Sequence, residues 1–311
     1  MKTHSSAYTF TSKKRTVVTI GTFDGVHIGH RKIIARLVES ARINDWESVV
    51  LTFFPHPRML LQKDTDIKLI NTITERGTLL EGLGLDHLVV HPFTMDFSRM
   101  QAEDFVEEIL VKALHAKKVI IGYDHRFGRN RKADIEDLKR FGEQFGFEVE
   151  EISKQELEDV AVSSTKIRAA LLDGDIKKAN AYLGYPIMLQ GKVIHGKHLG
   201  KKLGYPTANL HVPKAYKLIP AQGVYVVRSY IQEKRVYGMM NIGTNPTVGG
   251  KEQTVETYFF DFDSDLYGKQ LSIEILCKIR GEQHFNSVDE LIKAMQEDEV
   301  FSRSYIQSLK E

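Results

Sequence analysis

The sequence predicts a two-part chain: a parallel α/β sheet with helices on both faces, followed by an antiparallel β barrel or sandwich that a C-terminal helix closes. Three observations predict it. A length of 311 residues exceeds what one core ordinarily supports. From residue 16 to about 185, short apolar runs alternate with amphipathic ones, the strand and helix rhythm of a covered parallel sheet. After Gly184, Tyr185 and Pro186 the apolar runs follow one another across turn-like links, with no long helix between them. The change of rhythm places a boundary near residue 185, giving domains 1–185 and 186–311.

The front elements read in order as strand TVVTI, helix 29–43, strand SVVLTFF, helix 74–84, strand HLVVHPF, helix 101–115, strand KKVIIGYD, helix 134–145, strand FEVEEI and helix 164–183. The rear strands are IMLQGKVIHG, GVYVVRSYI, KRVYGMMNIG, ETYFFDF and QLSIEILCKI. From residue 287 onward one or two closing helices are expected, with Ser287 as N-cap and Glu290 completing a capping box. The polar segment 1–15 is expected to fray.

Composition excludes several classes. With 43 basic and 41 acidic residues the net charge is +2, so affinity for anions must come from local clusters. The basic cluster at 128–132 has no interleaved aromatics, and no nucleic-acid reading motif is present. Cys277 is the one cysteine, a small apolar residue within a strand, which points to a reducing compartment. No run approaches the roughly 18 apolar residues of a membrane span. The first residues lack the apolar core of a signal peptide, so a cytoplasmic protein is expected.

GTFDGVHIGH, residues 21–30, carries three glycines and two histidines between the first strand and the first helix. Gly21 and Gly25 permit a sharp turn, and Gly29 permits close approach of a ligand to the helix start. His27 and His30, three apart, fall on one face of the first turn. Two imidazoles beside a helix N-terminus suit phosphoryl oxygens and the charge that grows on them during transfer. A metal pair and plain helix-start packing stay open, although two ligands are too few for a structural zinc site. The spacing fits neither GxGxxG nor a P-loop. GKVIHGKH at 191–198 approaches a P-loop, but His198 stands where Ser or Thr should be and no βα unit surrounds it.

GTFDGVHIGH resembles the HxGH signature of nucleotidyltransferases, in the extended form found in the adenylyltransferase half of bacterial bifunctional riboflavin kinase/FAD synthetases. SSTKIR at 163–168 is similar to that family's second signature. The resemblance implies a Rossmann-like front domain in which the FMN phosphate attacks the α-phosphorus of ATP and expels pyrophosphate. No protein nucleophile is needed; alignment and charge neutralisation suffice. By this resemblance His27, His30 and Arg168 are catalytic, and Gly21, Phe23, Asp24, Gly29, Ser164 and Thr165 bind ATP. The flavin side would be lined by Pro55, His56 and Pro57 of FFPHP and by Asp124 and Phe127 of GYDHRFG. There His125 replaces the family's usual phenylalanine, and Ala133 stands where glycine is common.

GKHLGKKLGYPTANL at 196–210 resembles a riboflavin kinase flap followed by the PTAN motif, and GVY, NIGTNPTV, ETYFFDF and LYGK extend the likeness to 269. The resemblance implies a β-barrel kinase domain. Gly196, Lys197, Gly204, Thr207 and Asn209 would bind its ATP, with Thr207 and Asn209 offering hard oxygens to Mg²⁺. Glu256 would take the proton of the riboflavin 5′-hydroxyl. Tyr258 stands where the family often has histidine. The expected partners are riboflavin, FMN and ATP, without nucleic acid or membrane, for a monomer or weak homo-oligomer. A kinase that has lost adenylyl transfer, or a non-catalytic flavin-binding regulator, are the alternatives; intact His27, His30 and Arg168 speak against the first, and intact Glu256 and PTAN against the second.

Overall fold

The computed structural model describes residues 1–62, 67–123, 125–153, 162–196, 203–247 and 250–309. The chain divides into two compact units, Met1–Ser164 and Thr165–Glu311.

In the first unit β1 (Lys2–His4), β2 (Thr16–Ile20), β3 (Glu47–Phe54), β4 (His87–Pro92), β5 (Ala116–Gly122) and β6 (Glu148–Ile152) make one sheet in the order β1-β4-β3-β2-β5-β6. Every pairing is parallel. Because successive side chains leave opposite faces of a strand, adjacent valines serve two cores. Val18, Leu51 and Val119 pack into one with Ile109 and Leu110. Val17, Val50 and Ile120 pack into the other with Ile34 and Leu37. The centre is therefore apolar on both sides, as a parallel sheet between helices requires. From β2 the chain winds outward through β3 and β4, then crosses back to β5 on the other side. That reversal opens a crevice beyond the carboxyl ends of β2 and β5, the usual ligand position in such sheets.

Helix α1 (Ile28–Ile43) follows β2, and its buried Ile34, Leu37 and Ala41 recur at helical spacing. Helix α2 (Pro57–Leu61) and helix α3 (Ile73–Glu81) follow β3. Thr72 and Glu75 form a complete capping box at the start of α3.

The expected fraying of segment 1–15 is corrected. Lys2 to His4 pair with His87 to Val89, and the Met1 ammonium lies 3.1 Å from Glu81. His4 Nε2 meets His87 Nδ1 at 3.0 Å, and His87 Nε2 reaches Glu47 at 3.0 Å. Three polar side chains thus hold an edge strand whose polarity alone suggested solvent.

In the second unit the expected single helix 164–183 is also corrected. It is two, Ser164–Asp173 and Ile176–Leu183, broken where Gly174 adopts φ +78°. By packing both group with the rear unit, whereas the change of periodicity lies beyond them. The rear strands β7 (Met188–Ile194), β8 (Ala208–His211), β9 (Gly223–Ile231), β10 (Lys234–Thr247), β11 (Gly250–Phe259) and β12 (Gln270–Arg280) close into a barrel, order β10-β11-β8-β7-β12-β9. Its pairings are antiparallel throughout. Cys277 is 1% exposed within it, the core residue expected.

One helix, Val288–Ser308, closes this unit. Ser287 accepts from the Glu290 amide at 3.2 Å, but the Glu290 carboxylate accepts from the Asn286 amide at 2.9 Å instead of that of Ser287. The expected capping box is therefore displaced by one residue. Arg280 of β12 forks onto Asp298 of the helix, Nε to Oδ1 at 2.9 Å and Nη2 to Oδ2 at 2.8 Å. Burial pushes the Asp298 carboxyl up even so, with Arg280 opposing. Asp298→Ala leaves the guanidinium without its fork, and a loss of roughly 3 kcal/mol in urea unfolding of the rear unit is expected.

Candidate functional sites

The first site grows from the turn after β2. Phe23, Gly25 and Val26 all take positive φ, at 46°, 90° and 34°, which folds residues 21–27 into a compact loop ahead of α1. Phe23 and Asp24 are buried, and the Gly21 position faces the Phe23 ring, 3.0 Å from where a Cβ would stand. His27 is the N-cap of α1. Its Nδ1 accepts the amide proton of His30 at 3.3 Å, which satisfies one of the donors a helix start leaves over. A neutral His27 that accepts at Nδ1 carries its proton on Nε2, so it can donate from there.

The His27 and His30 rings stack with centroids 3.6 Å apart and planes at 16°. Phe23 meets His30 edge-on at 5.1 Å. A Cβ on Gly29 would sit 3.3 Å from His27 Cε1 and Nδ1. The His27 ring therefore lies directly beside the Gly29 position at the helix start. Burial lowers the His27 pKa to about 4, against the opposing charge of Asp24. Burial likewise holds His30 well below the ordinary histidine value, with His27 and Arg76 adding to it. Both rings are neutral donors near pH 7. His30 Nδ1 is buried and has no partner among the described residues.

Asp24 turns its carboxylate inward, accepting from the amides of Ile70 at 3.1 Å and Asn71 at 3.2 Å. Its carbonyl accepts from Ser164 Oγ at 2.8 Å, so the first residue of the second motif's helix touches the first motif. Thr165 and Arg168 belong to the second compact unit. His56 caps α2, its Nδ1 accepting from the Arg58 amide at 3.1 Å, with Pro57 at the first helical position and Pro55 preceding it. Phe127, 6% exposed, lies in the core against Phe105 and bridges to Ala133. Its ring is an interior wall, and His125 stacks on it at 6.2 Å. Asp124 lies outside the described residues.

Sequence reasoning missed two residues here. Arg76 of α3 is 1% exposed and lies 3.6 Å from Asp24. Thr52 of β3, also buried, donates to the Thr22 carbonyl at 3.2 Å and accepts from Arg76 at 3.3 Å. No periodicity announces either, because an arginine in TERGT reads as a solvated helix face.

The second site lies on the barrel. Val255, Thr257 and Phe259 are buried while Glu256 and Tyr258 are half-buried, so the period of two puts Glu256 on the opposite face from the β11 core residues. Register sets Glu256 between Asn209 of β8 and Asn241 of β10. Thr207 Oγ donates to Glu256 Oε2 at 3.1 Å. A Cβ on Gly196 would fall 2.2 Å from the Asn209 amide nitrogen, so only glycine fits against that side chain. Gly196, Thr207, Asn209 and Glu256 thus come together. Gly204 turns with φ +85°, Tyr258 meets Tyr205 edge-on at 5.0 Å, and Lys197 lies outside the described residues. Among the described residues no group of three or more His, Cys, Asp or Glu could hold a metal.

A parallel sheet with a histidine-capped helix at its crossover point, joined to an antiparallel barrel with a Thr–Glu–Asn cluster, defines a two-centred phosphate-transfer protein. The FAD synthetase family model matches residues 9–166 and the riboflavin kinase model residues 183–306. The chain is 37% identical over 290 residues to the bifunctional riboflavin kinase/FMN adenylyltransferase of Escherichia coli K12, covering 93% of this chain and 92% of that protein. The Listeria monocytogenes relative of the same description is 35% identical, with 95% and 94% covered. A crystal structure described as a macrolide-efflux protein from Streptococcus pneumoniae superposes with TM-score 0.88 at 34% identity, covering 97% of this chain and 98% of that one. Among the described residues no helix is long and apolar enough to cross a membrane. The chain belongs to the family of bifunctional riboflavin kinase/FMN adenylyltransferases, its front half an FAD synthetase and its rear half a flavokinase.

The buried histidines make the front unit acid-sensitive. An unfolded histidine binds a proton below about pH 6.5, whereas His27 resists until about 4. Between these values the unfolded state holds more protons, so stability falls as pH falls through the window. His27 alone contributes a loss of up to roughly 3 kcal/mol at the acid end. Urea unfolding at pH 7, 5.5 and 4.5 should show this slope, and His27→Gln should flatten it.

Proposed function

We propose that the two clusters perform the family's two reactions in succession, the barrel making FMN from riboflavin and the parallel-sheet unit making FAD from FMN. One observation supports this assignment: each compact unit holds its own polar cluster, the stacked His27 and His30 in one and Thr207, Asn209 and Glu256 in the other. The functional halves are taken as 1–185 and 186–311, where the chain's periodicity changes.

In the barrel, Glu256 accepts the proton of the riboflavin 5′-hydroxyl as that oxygen attacks the γ-phosphorus of ATP and ADP leaves. Thr207 spends its hydroxyl proton on Glu256. That bond orients the carboxylate and leaves the hydroxyl lone pairs for a cation. Mg²⁺ fits this donor set, since Thr207 and the Asn209 carbonyl supply hard neutral oxygens and the ion takes its remaining ligands from phosphates and water. Bound there, it would neutralise charge on the transferring group. Gly196 and Gly204, with Lys197 between them, flank the nucleotide.

In the front unit the FMN phosphate is already an anion and attacks the α-phosphorus directly. His27 donates from Nε2, and His30 stacked beneath it shares the task of steadying negative charge at the positive end of α1. Gly21, Phe23, Asp24 and Gly29 shape that corner. Ser164, Thr165 and Arg168 take the β and γ phosphates, arginine by a two-pronged contact. Pro55, His56, Pro57, Asp124 and Phe127 bound the flavin. The reading places the enzyme in the cytoplasm, supported by a single buried cysteine, and takes it as a monomer or weak homo-oligomer.

Riboflavin, ATP and Mg²⁺ incubated with the chain should yield both FMN and FAD on chromatography; FMN alone would remove the front assignment. Glu256→Gln should slow FMN formation on the order of 10²- to 10⁴-fold while supplied FMN still becomes FAD. His30→Ala should do the converse, slowing FAD formation about 10²- to 10³-fold. Loss of both steps in either variant would contradict separate centres.

A further inference from the structure

A guanidinium that is 1% exposed in an α/β core needs a reason, because burying a charge is costly unless it is paired. Two ties of Arg76 lead to the histidine loop. Nη2 lies 3.6 Å from Asp24 Oδ1, within the loop itself. Nη1 donates to Thr52 Oγ at 3.3 Å, and that hydroxyl donates onward to the Thr22 carbonyl at 3.2 Å. One side chain therefore grips residues 22 and 24 of a loop in which Phe23, Gly25 and Val26 all take positive φ. The Glu75 carboxylate beside it on α3 is committed to the Thr72 amide at 2.8 Å, and Asp24 shares itself with the amides of Ile70 and Asn71.

The charged and titratable groups that bear on His30 are His27, stacked on it, and Arg76, with Asp24 as the counter-charge to Arg76. An arginine cannot give up its proton at working pH. Its charge therefore stands permanently against a second cation at His30. Buried His30 Nδ1 has no described partner that could stabilise an imidazolium.

We propose that Arg76 is a positioning residue for adenylyl transfer: it pins the histidine loop through Asp24 and Thr52, and its permanent charge adds to the burial that disfavours a second cation at His30. This rests on the role assigned to His30 above. The device has a chemical logic. A protonated His30 would bind ATP phosphates tightly before reaction, whereas a neutral ring gains most as charge develops during transfer. Removing the positive charge also releases the Asp24 carboxylate to favour protonation nearby, so both effects act in the same direction.

The test is the pH dependence of FMN adenylylation in the full chain, with riboflavin phosphorylation by the same sample as internal control. Arg76→Gln, which keeps a donor and loses the charge, should move the acid limb of kcat upward. Arg76→Lys should keep the acid limb near its wild-type position while lowering kcat several-fold through imperfect positioning. The kinase step should be unchanged in both. Equal losses in the two variants with unmoved acid limbs would overturn the proposal and leave Arg76 a packing residue. Should Arg76→Gln fail to fold, Thr52→Val, which cuts the second tie, decides: FAD formation slowed several-fold with the kinase step unchanged supports the pinning, and an unchanged rate of FAD formation overturns it. Absence of FAD synthesis in the wild-type chain, by contrast, would sink the adenylyltransferase reading itself.

Discussion

The front half of this molecule depends on one contact, the His27 ring laid over the first turn of α1. It caps the helix through Nδ1, crowds the space beside Gly29, and stacks on His30. Each consequence follows from the same few atoms. Capping fixes the tautomer, so Nε2 becomes the donor; stacking buries the second ring, so neither takes up a proton near neutrality. The sheet topology then puts this device where β2 and β5 diverge, the one place on such a sheet open to a nucleotide.

In the proposed reading the two units handle phosphate by different physics. The parallel-sheet unit sets a helix terminus and neutral rings at its site, so part of the charge compensation comes from oriented dipoles. The barrel offers oxygen atoms on adjacent antiparallel strands, where register alone brings Asn209 and Asn241 against Glu256. Strands suit the second task, since cross-strand neighbours are rigidly spaced. Attack by a neutral hydroxyl needs a base, and the barrel has Glu256; attack by a phosphate anion needs none.

Much of this was legible in the residues. The alternation of apolar runs marked a parallel sheet and then an antiparallel barrel, and the glycine and histidine pattern marked the loop ahead of α1. What stayed hidden depended on tertiary partners. Polarity at 1–15 suggested solvent, yet His4 finds His87, and His87 finds Glu47, only after folding. The break at Gly174 was masked by apolar residues that continue with helical spacing on both sides. Glu290 reached Asn286 instead of the Ser287 amide because a cap bond answers to local backbone direction. Arg76 was invisible for a deeper reason: a buried charge looks like a surface charge until its partners, here Asp24 and Thr52, are brought from distant parts of the chain.

The central claim is that adenylyl transfer happens against the His27 and His30 stack. A crystal structure of the chain with a non-hydrolysable ATP analogue and FMN tests it most directly. The account predicts triphosphate oxygens within hydrogen-bond reach of His27 Nε2 at the N-terminus of α1, with the flavin phosphate approaching the α-phosphorus in line. A triphosphate seated well away from that corner, with the two rings still stacked and untouched, would contradict it.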